Sequence, residues 1–144
     1  MLIDRELEEL RKQVVTPYLP PFSKGVIEAG LTLYTLVLDL DETLIHFEEN
    51  ADDEEEACFL IRPGALQFLE KMACHFEIVI FTAAMPDYAD WILDSLLDDN
   101  REIISHRLYR QHTSPKDDYA IKDLRLLGRK LEHTIIVDNL AENF

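Results

Sequence analysis

The sequence predicts an α/β fold in which a mostly parallel, Rossmann-like central sheet is flanked by helices. Apolar, β-branched runs alternate with segments of helical periodicity along its 144 residues, and this alternation is typical of βαβ units. The runs lack the polar alternation of half-exposed strands, so each is expected to be covered on both faces, as parallel strands are. A chain of this length supplies one hydrophobic core.

Residues 1–32 are predicted to form an N-terminal helix and a proline-containing connector. Apolar residues recur at helical spacing from Leu2 to about Val14, which predicts an amphipathic helix. This helix could dock on a partner, or it could pack on its own domain. Three prolines between Pro17 and Pro21 end any helix and favour an extended connector.

Residues 33–144 are predicted to form the main domain. Its strand candidates are Leu33–Leu38, Glu77–Phe81 and Thr134–Val137, with a weaker candidate at Ile103–Tyr109. Helices are predicted after Gly64 and after Pro86, where apolar residues recur every three or four positions, and over Ile121–Leu127. Trp91, in the second of these helices, is assigned to the core.

The charge balance excludes some classes of partner. Lys and Arg number 14 against 29 Asp and Glu, which gives a net charge of −15. Such a field repels phosphate backbones and anionic lipids, so we expect no nucleic-acid partner and no membrane partner. Seven of the acidic residues lie between Glu48 and Glu56, a stretch that is predicted to be a solvated loop.

The lack of a recognisable membrane span or signal peptide, together with the cysteine pattern, predicts an intracellular protein, nuclear or cytoplasmic. No apolar run approaches the roughly 20 residues that span a bilayer, and the N-terminus lacks the basic start and apolar core of a signal peptide. Cys58 and Cys74 are the two cysteines. Their spacing fits no metal site, and we expect both to be reduced and buried.

Polar residues with chemical potential gather where the predicted strands end, which is where parallel sheets bind ligands. These residues are Asp39, Asp41, Thr82, Asp138 and Asn139, and Lys122 lies near a predicted helix start. Two carboxylates separated by one residue in extended chain point the same way and favour a hard cation such as Mg²⁺. Asn139 adds a neutral oxygen ligand, and Asp138 could hold the Lys122 ammonium.

The same set suits phosphoryl transfer, because Thr82 and Lys122 can donate hydrogen bonds to a phosphate beside a carboxylate nucleophile. Each residue alone also has an ordinary explanation: an Asp-x-Asp pair is a common turn or cap, and a lysine is usually solvated. The prediction depends on all of them occurring in order at strand ends or at a helix start.

Four segments resemble the motifs of the haloacid dehalogenase superfamily of phosphotransferases. They are Asp39–Leu44, Phe81–Ala83, Ile121–Leu124 and Ile136–Asn139. Within that superfamily the chain is similar to the small phosphatases that act on the RNA polymerase II C-terminal domain and to the nuclear LIM interactor-interacting factor-like group. The supporting strings are Arg62–Gly64, Tyr88–Asp90 and Leu127–Arg129. The similarity extends from about Leu33 to Phe144.

The resemblance implies a Mg²⁺-dependent protein serine/threonine phosphatase with a haloacid dehalogenase fold and no large cap domain. Its substrate would be a phosphoprotein, with the RNA polymerase II C-terminal domain as one candidate; no oligomeric state is implied. The implied roles are Asp39 as nucleophile, Asp41 as general acid and base, Thr82 and Lys122 on the phosphoryl oxygens, and Asp138 beside Lys122. The Mg²⁺ ligands would be Asp39, the Asp41 carbonyl and Asn139, while Tyr88 and Arg110 would line a peptide groove.

Two departures from the family pattern, and two rival functions, stay open. The family's apolar strand insert after the first motif is replaced by the acidic stretch Glu48–Glu56, which either favours basic sequence around the phosphosite or is only a solvated loop. The family continues past the fourth motif with another strand and helix, so the chain is expected to be a fragment or incomplete, with an apolar edge at Thr134–Val137.

The main rival function is an inactive docking module like the receptor subunit of the mitochondrial inner-membrane translocase. A small-molecule phosphatase is less favoured, since those relatives carry a large cap.

Overall fold

The structure, a computed structural model, describes residues 2–49, 57–116 and 118–144. Its helices are α1 (Leu2–Gln13), α2 (Lys24–Glu28), α3 (Ala65–Ala73) and α4 (Pro86–Ile92), the last continuing as a π-helical turn over Leu93–Leu97. Its strands are β1 (Tyr34–Leu38), β2 (Ile45–Glu49), β3 (Ala57–Ile61), β4 (Phe76–Phe81), β5 (His106–Leu108), β6 (Ser114–Lys116), β7 (Tyr119–Ile121) and β8 (Thr134–Val137).

Four strands form a parallel sheet in the order β5-β4-β1-β8. Leu38 lies opposite Ile80 of β4 and opposite Val137 of β8, so the carboxyl ends of these three strands lie side by side. The predicted α/β class, with a parallel sheet and flanking helices, is confirmed. The alternation of apolar runs and helical periodicity was therefore a sound guide to architecture.

Both faces of the central strands are covered, because successive side chains of a strand point to opposite faces. One core cluster includes Leu36, Leu38, Ile78 and Ile80 of the sheet, Leu69 of α3 and Ile92 of α4. The other includes Val37, Val79, Phe81, Leu19, Leu108 and Leu127. Helices thus cover the first face, while the N-terminal connector and a short turn cover the second.

The N-terminal segment packs on the domain. The backbone N–H groups of Tyr18 and Leu19 donate to the carbonyls of Leu126 and Leu127, over 2.9 and 3.0 Å. At Gly128 the φ angle is +81°, and an added Cβ would lie 2.7 Å from the Cβ of Pro17. Helix α1, confirmed close to its predicted bounds, packs against the 3₁₀ turn Arg110–His112. Of the two alternatives for this helix, packing on its own domain is the one observed.

The region after the first motif differs from the predicted loop. Strands β2 and β3 form an antiparallel hairpin, with Phe47 opposite Phe59. The sequence prediction treated Glu48 as the start of a loop, whereas Glu48 lies within β2. Residues 50–56 of the acidic stretch lie outside the described residues, so the prediction of a solvated loop stays a prediction there.

Three further predictions were wrong in detail. Ile121–Leu127 was predicted to be a helix, but β7 ends at Ile121 and a single 3₁₀ turn covers Leu124–Leu126, with the Asp123 side chain accepting the Arg125 N–H. Trp91 is 55 % exposed and packs edge-on against Phe59. Cys58 and Cys74 are free, as predicted, but exposed rather than buried.

Strand β8 lies at an edge of the described sheet. Ile135 and Val137 are nearly half exposed, in agreement with the apolar edge expected at Thr134–Val137. No helix within the described ranges has both the length and the apolar character needed to cross a membrane.

Candidate active site

A buried ion cluster lies at the carboxyl end of the parallel sheet. Asp39 directly follows β1, Asp138 directly follows β8, and Lys122 directly follows β7. The Lys122 ammonium donates to Oδ1 of Asp39 over 2.7 Å and also contacts Oδ2 of Asp138. Lys122 is 1 % exposed and Asp39 6 %. Burying a charge is tolerated only where it is paired, so each member of this cluster depends on the others.

Burial raises the pKa of the Asp39 carboxyl above its usual range, and the charge and hydrogen bond of Lys122 offset this only in part. The ammonium offers three N–H donors, of which two are directed at carboxylates. One N–H donor of Lys122 is therefore not directed at a carboxylate, and the second oxygen of Asp39 accepts a long hydrogen bond of 3.4 Å from Thr43. That combination of a carboxylate oxygen and a free donor can attack an electrophile and hold an anion at the same point.

Asp138 is fixed from the C-terminal side of the chain. Its Oδ1 accepts the Leu140 N–H over 2.9 Å and the Asn143 side-chain amide over 3.2 Å. The carbonyl of Asn143 accepts the Lys122 backbone N–H over 2.6 Å. The sequence analysis missed Asn143, because no motif or spacing indicates a residue that acts through its backbone.

Asp41 forms a second group beside the first. Tyr88 of α4 donates its O–H to Oδ1 of Asp41 over 2.7 Å, and Thr82, at the end of β4, donates to Oδ2 over 3.5 Å. Burial and the hydrogen bond to Asp41 raise the pKa of Tyr88 well above its usual range, so the phenol stays a donor. The Thr82 hydroxyl also accepts the Ala84 N–H over 3.0 Å, which fixes its position.

The loop between the two aspartates and β2 has an unusual backbone. Glu42 has a φ of +62°, and Thr43 donates its hydroxyl to Oδ2 of Asp39 over 3.4 Å. The Arg62 guanidinium donates to the carbonyls of Thr43 and Glu42 over 2.6 and 3.1 Å. Thr43 lies within the first motif, Asp39–Leu44, and this position could have marked it as a site residue.

Two predicted residues stand apart from these contacts. Asn139 is exposed and lines a cavity of about 460 Å³ together with Thr43 and Asp138. Within the described ranges its side chain makes no hydrogen bond to the other predicted site residues. Arg110 has an exposed side chain, and its backbone N–H donates to the carbonyl of Ala84, two residues after Thr82.

The donor set fits a hard divalent cation. Oδ2 of Asp39 accepts a long hydrogen bond from Thr43, and carboxylate, backbone carbonyl and amide oxygens are the ligands that Mg²⁺ prefers. In the described part of the chain, no three His, Cys, Asp or Glu residues are grouped to hold a metal. The predicted ligands are Asp39, the Asp41 carbonyl and Asn139. They include one carboxylate side chain, so they differ from a group of three such residues.

The structure thus brings together six of the predicted residues in two groups. They are Asp39, Lys122 and Asp138 in one group, and Asp41, Thr82 and Tyr88 in the other. Asn139 lies beside Asp138 at the cavity, and Arg110 lies near the loop that follows Thr82. Asn143 and Arg62 are contacts that the sequence analysis did not assign.

Comparison with known proteins agrees with this architecture. The sequence matches the family model of the NLI interacting factor-like phosphatases over residues 34–144. It is 40 % identical to CTD small phosphatase-like protein 3 of Caenorhabditis elegans, over 91 % of this chain and 53 % of that protein. It is 34 % identical to the CTD small phosphatase-like protein of Mus musculus, over 93 % of this chain and 54 % of that protein.

The chain therefore spans about half the length of these two curated relatives. It is also similar to a solved structure of the fission yeast RNA polymerase II CTD phosphatase Fcp1 bound to beryllium fluoride. The TM-score is 0.63 and the identity 18 %, over 84 % of this chain and 40 % of that one. At that identity the likeness shows the fold alone, which is of the haloacid dehalogenase type. Because the family model covers most of the sequence, the chain belongs to the NLI interacting factor-like phosphatase family.

Proposed function

We propose that the protein is a Mg²⁺-dependent protein serine/threonine phosphatase that acts through an aspartyl-phosphate on Asp39. The observation that carries the proposal is the contact of Asp39 with Lys122, 83 residues further along the chain and 1 % exposed. A carboxylate nucleophile beside a fixed positive charge suits phosphoryl transfer, where catalysis consists mainly of positioning and charge neutralisation.

The two carboxyl groups divide the chemistry. Asp39 attacks phosphorus, and the bond between phosphorus and the serine or threonine oxygen breaks as Asp41 donates a proton to that oxygen. Asp41 then accepts a proton from the water that attacks the phosphorus of the aspartyl-phosphate. This second step releases phosphate and restores the Asp39 carboxylate. The hydrogen bond from Tyr88 fixes the direction in which the Asp41 carboxyl points.

Lys122 and Thr82 bind the phosphoryl oxygens. Lys122 keeps one N–H donor that is not directed at Asp39 or Asp138, and Asp138 holds the ammonium in place. Mg²⁺ supplies the positive charge that allows a carboxylate to approach a phosphate dianion. Asp39, the Asp41 carbonyl and Asn139 are the residues that would hold the ion.

The open site favours a protein substrate. In the described residues between β1 and β4, the hairpin β2–β3 and helix α3 are the regular elements, and no large cap covers the site. Phe59 of the hairpin packs against Tyr88 and Trp91, with ring centroids 5.8 and 5.5 Å apart. These rings, with Arg110, would flank an extended phosphopeptide. The RNA polymerase II C-terminal domain is one candidate substrate, because relatives are named for it. A nuclear or cytoplasmic location stays a prediction.

Hydrolysis of an aryl phosphate by the full-length protein tests the proposal, with Mg²⁺ and with a chelator in its place. We expect turnover that requires Mg²⁺ and that Asp39→Asn lowers by at least about 10³-fold, as removal of a nucleophile does. Asp99→Asn is the matched control, since Asp99 is an exposed turn residue and the substitution is the same. Circular dichroism would show that both variants are folded.

The same experiment separates the main rival. A folded protein that binds Mg²⁺ and a phosphopeptide but never hydrolyses either substrate would support a docking module instead. Turnover that persists in Asp39→Asn would remove Asp39 from the nucleophile's role.

A further inference from the structure

Arg62 connects the end of the hairpin to the loop that carries Asp41. It directly follows β3, and its guanidinium donates through Nε to the carbonyl of Thr43 and through Nη2 to the carbonyl of Glu42, over 2.6 and 3.1 Å. Its backbone N–H donates to the carbonyl of Leu44 over 2.9 Å. One residue therefore binds three successive carbonyls of the loop from outside.

The loop needs such support because its backbone is strained. Glu42 is not a glycine, yet its φ is +62°, a left-handed conformation that disfavours any side chain with a Cβ. Residues in this region persist only where the surrounding structure holds them. The loop's own hydrogen bonds, Glu42 N–H to Ile45 over 2.7 Å and Leu44 N–H to Leu40 over 2.9 Å, close the turn but do not contact the carbonyl of Glu42.

We propose that Arg62 is a positioning residue that holds the Asp41–Leu44 loop in its strained conformation and so directs the Asp41 carboxyl toward the leaving oxygen. The proposal rests on the proposed function, since it assigns a purpose to the same site. A planar guanidinium can donate in two directions at once, whereas a lysine ammonium acts as a point charge. The two guanidinium contacts use that geometry.

The geometry also explains why the loop must be held closely. Asp41 immediately precedes Glu42, and Thr43, immediately after it, donates to Asp39. Rotation at Glu42 would therefore move the Asp41 carboxyl relative to the Thr43 hydroxyl that contacts the nucleophile Asp39. A misplacement of about 1 Å at a reacting group can cost on the order of 100-fold in rate.

Steady-state kinetics on two substrates tests the inference in the full-length protein. Arg62→Ala should lower kcat/KM for a phosphoserine peptide by about tenfold or more, but kcat/KM for an aryl phosphate by less than about threefold. The ratio kcat/KM reports the steps up to formation of the aspartyl-phosphate, and a good leaving group needs little protonation in them. Arg62→Lys should remain impaired, and Arg5→Ala, at an exposed arginine of α1, is the matched control for loss of charge.

Relief of the strain gives a second test. Glycine adopts a positive φ without penalty, so Glu42→Gly should restore part of the lost peptide turnover when it is combined with Arg62→Ala. Added guanidinium ion should do the same for Arg62→Ala, whereas sodium chloride at equal ionic strength should not. Equal losses on both substrates, or no restoration by either route, would overturn the proposal.

Amide hydrogen exchange measured by NMR keeps the two proposals distinguishable. Arg62→Ala should accelerate exchange at the Glu42 and Leu44 amides by about tenfold or more, as expected for a locally opened loop. Amides of β4 should be unaffected. Unchanged exchange in the loop would overturn the role of Arg62 even in an active enzyme. A native protein without turnover would overturn the proposed function, and the exchange data would still decide whether Arg62 holds the loop.

Discussion

The acid stability of the protein should depend strongly on Glu77, near the start of β4. Its carboxylate accepts two hydrogen bonds of 2.7 Å from Arg129 and one of 3.0 Å from Thr35, and it lies 3.1 Å from a ring nitrogen of His106. The side chains of Glu77 and Arg129 are 9 % and 4 % exposed. Burial alone would raise the pKa of Glu77, but these partners outweigh it and lower the pKa from 4.5 to about 2.

The direction of the effect follows from that pKa. A carboxyl whose pKa is lower in the folded state stabilises the fold above its unfolded pKa, and this stabilisation is lost as the pH falls through 4.5 toward 2. A difference of one pKa unit corresponds to about 1.4 kcal/mol. The lowered pKa of Glu77 therefore contributes about 3 kcal/mol to the free energy of unfolding at pH 7. Whole domains are stable by only about 5–15 kcal/mol, so the loss should be easy to measure.

Urea denaturation of Glu77→Gln between pH 7 and pH 3 measures this contribution. With a urea dependence of about 2 kcal/mol per M, the midpoint at pH 7 should fall by roughly 1.5 M. The difference from the native protein should shrink to less than half by pH 3, because pH 3 lies well below the unfolded pKa of 4.5, so that Glu77 of the unfolded chain has taken up its proton. Glu70→Gln, at an exposed position of α3, controls for the change in net charge. A difference that stayed constant from pH 7 to pH 3 would refute the electrostatic explanation.

Three further substitutions test the site and the connector. Asp41→Asn should lower kcat/KM, which reports formation of the aspartyl-phosphate, by at least about 100-fold for a phosphoserine peptide but much less for an aryl phosphate, and equal losses of kcat/KM would contradict its role as acid. Lys122→Ala should weaken the binding of phosphate or beryllofluoride at least about tenfold in calorimetry, and an unchanged affinity would argue against a phosphate contact. Gly128→Ala should lower the free energy of unfolding by about 2 kcal/mol, given the φ of +81° and the contact with Pro17. Gly25→Ala, which meets no atom within 4 Å, is its control, and equal stability of the two variants would show that the connector shifts freely.

The sequence was sufficient for the sheet because three apolar runs are long enough to be recognised. β1, β4 and β8 lie close to their predicted bounds, and parallel pairing then places Asp39 beside Asp138. The hairpin was missed because the acidic residues around it dominated the interpretation, although Ala57–Ile61 is itself an apolar run. The segment from Ile121 to Leu127 was predicted to be a helix. In the structure, the capping side chain of Asp123 and the positive φ of Gly128 limit it to a single turn.

Individual contacts in the site could not be predicted, since they depend on where distant segments pack. The hydrogen bond of Tyr88 to Asp41 requires α4 to lie over the first loop, and the support of Lys122 by Asn143 uses a backbone carbonyl. Helical periodicity gave the right face of α4 for most residues but placed Trp91 inside. Trp91 packs on Phe59 of the hairpin instead, and the hairpin is the element that the prediction lacked.

Two buried carboxylates at this sheet have pKa values shifted in opposite directions, and the difference distinguishes a structural role from a chemical one. Glu77 has two arginine hydrogen bonds and a lowered pKa, so its charge stabilises the fold. Asp39 has a raised pKa, because burial outweighs the help of Lys122, so its charge at neutral pH costs stability. A group whose ionised form opposes folding is expected where that form is needed for another purpose. Asp39→Asn should therefore remove turnover at little cost in stability, because the Lys122 ammonium keeps its contact with Asp138, and this is the combination expected of a nucleophile.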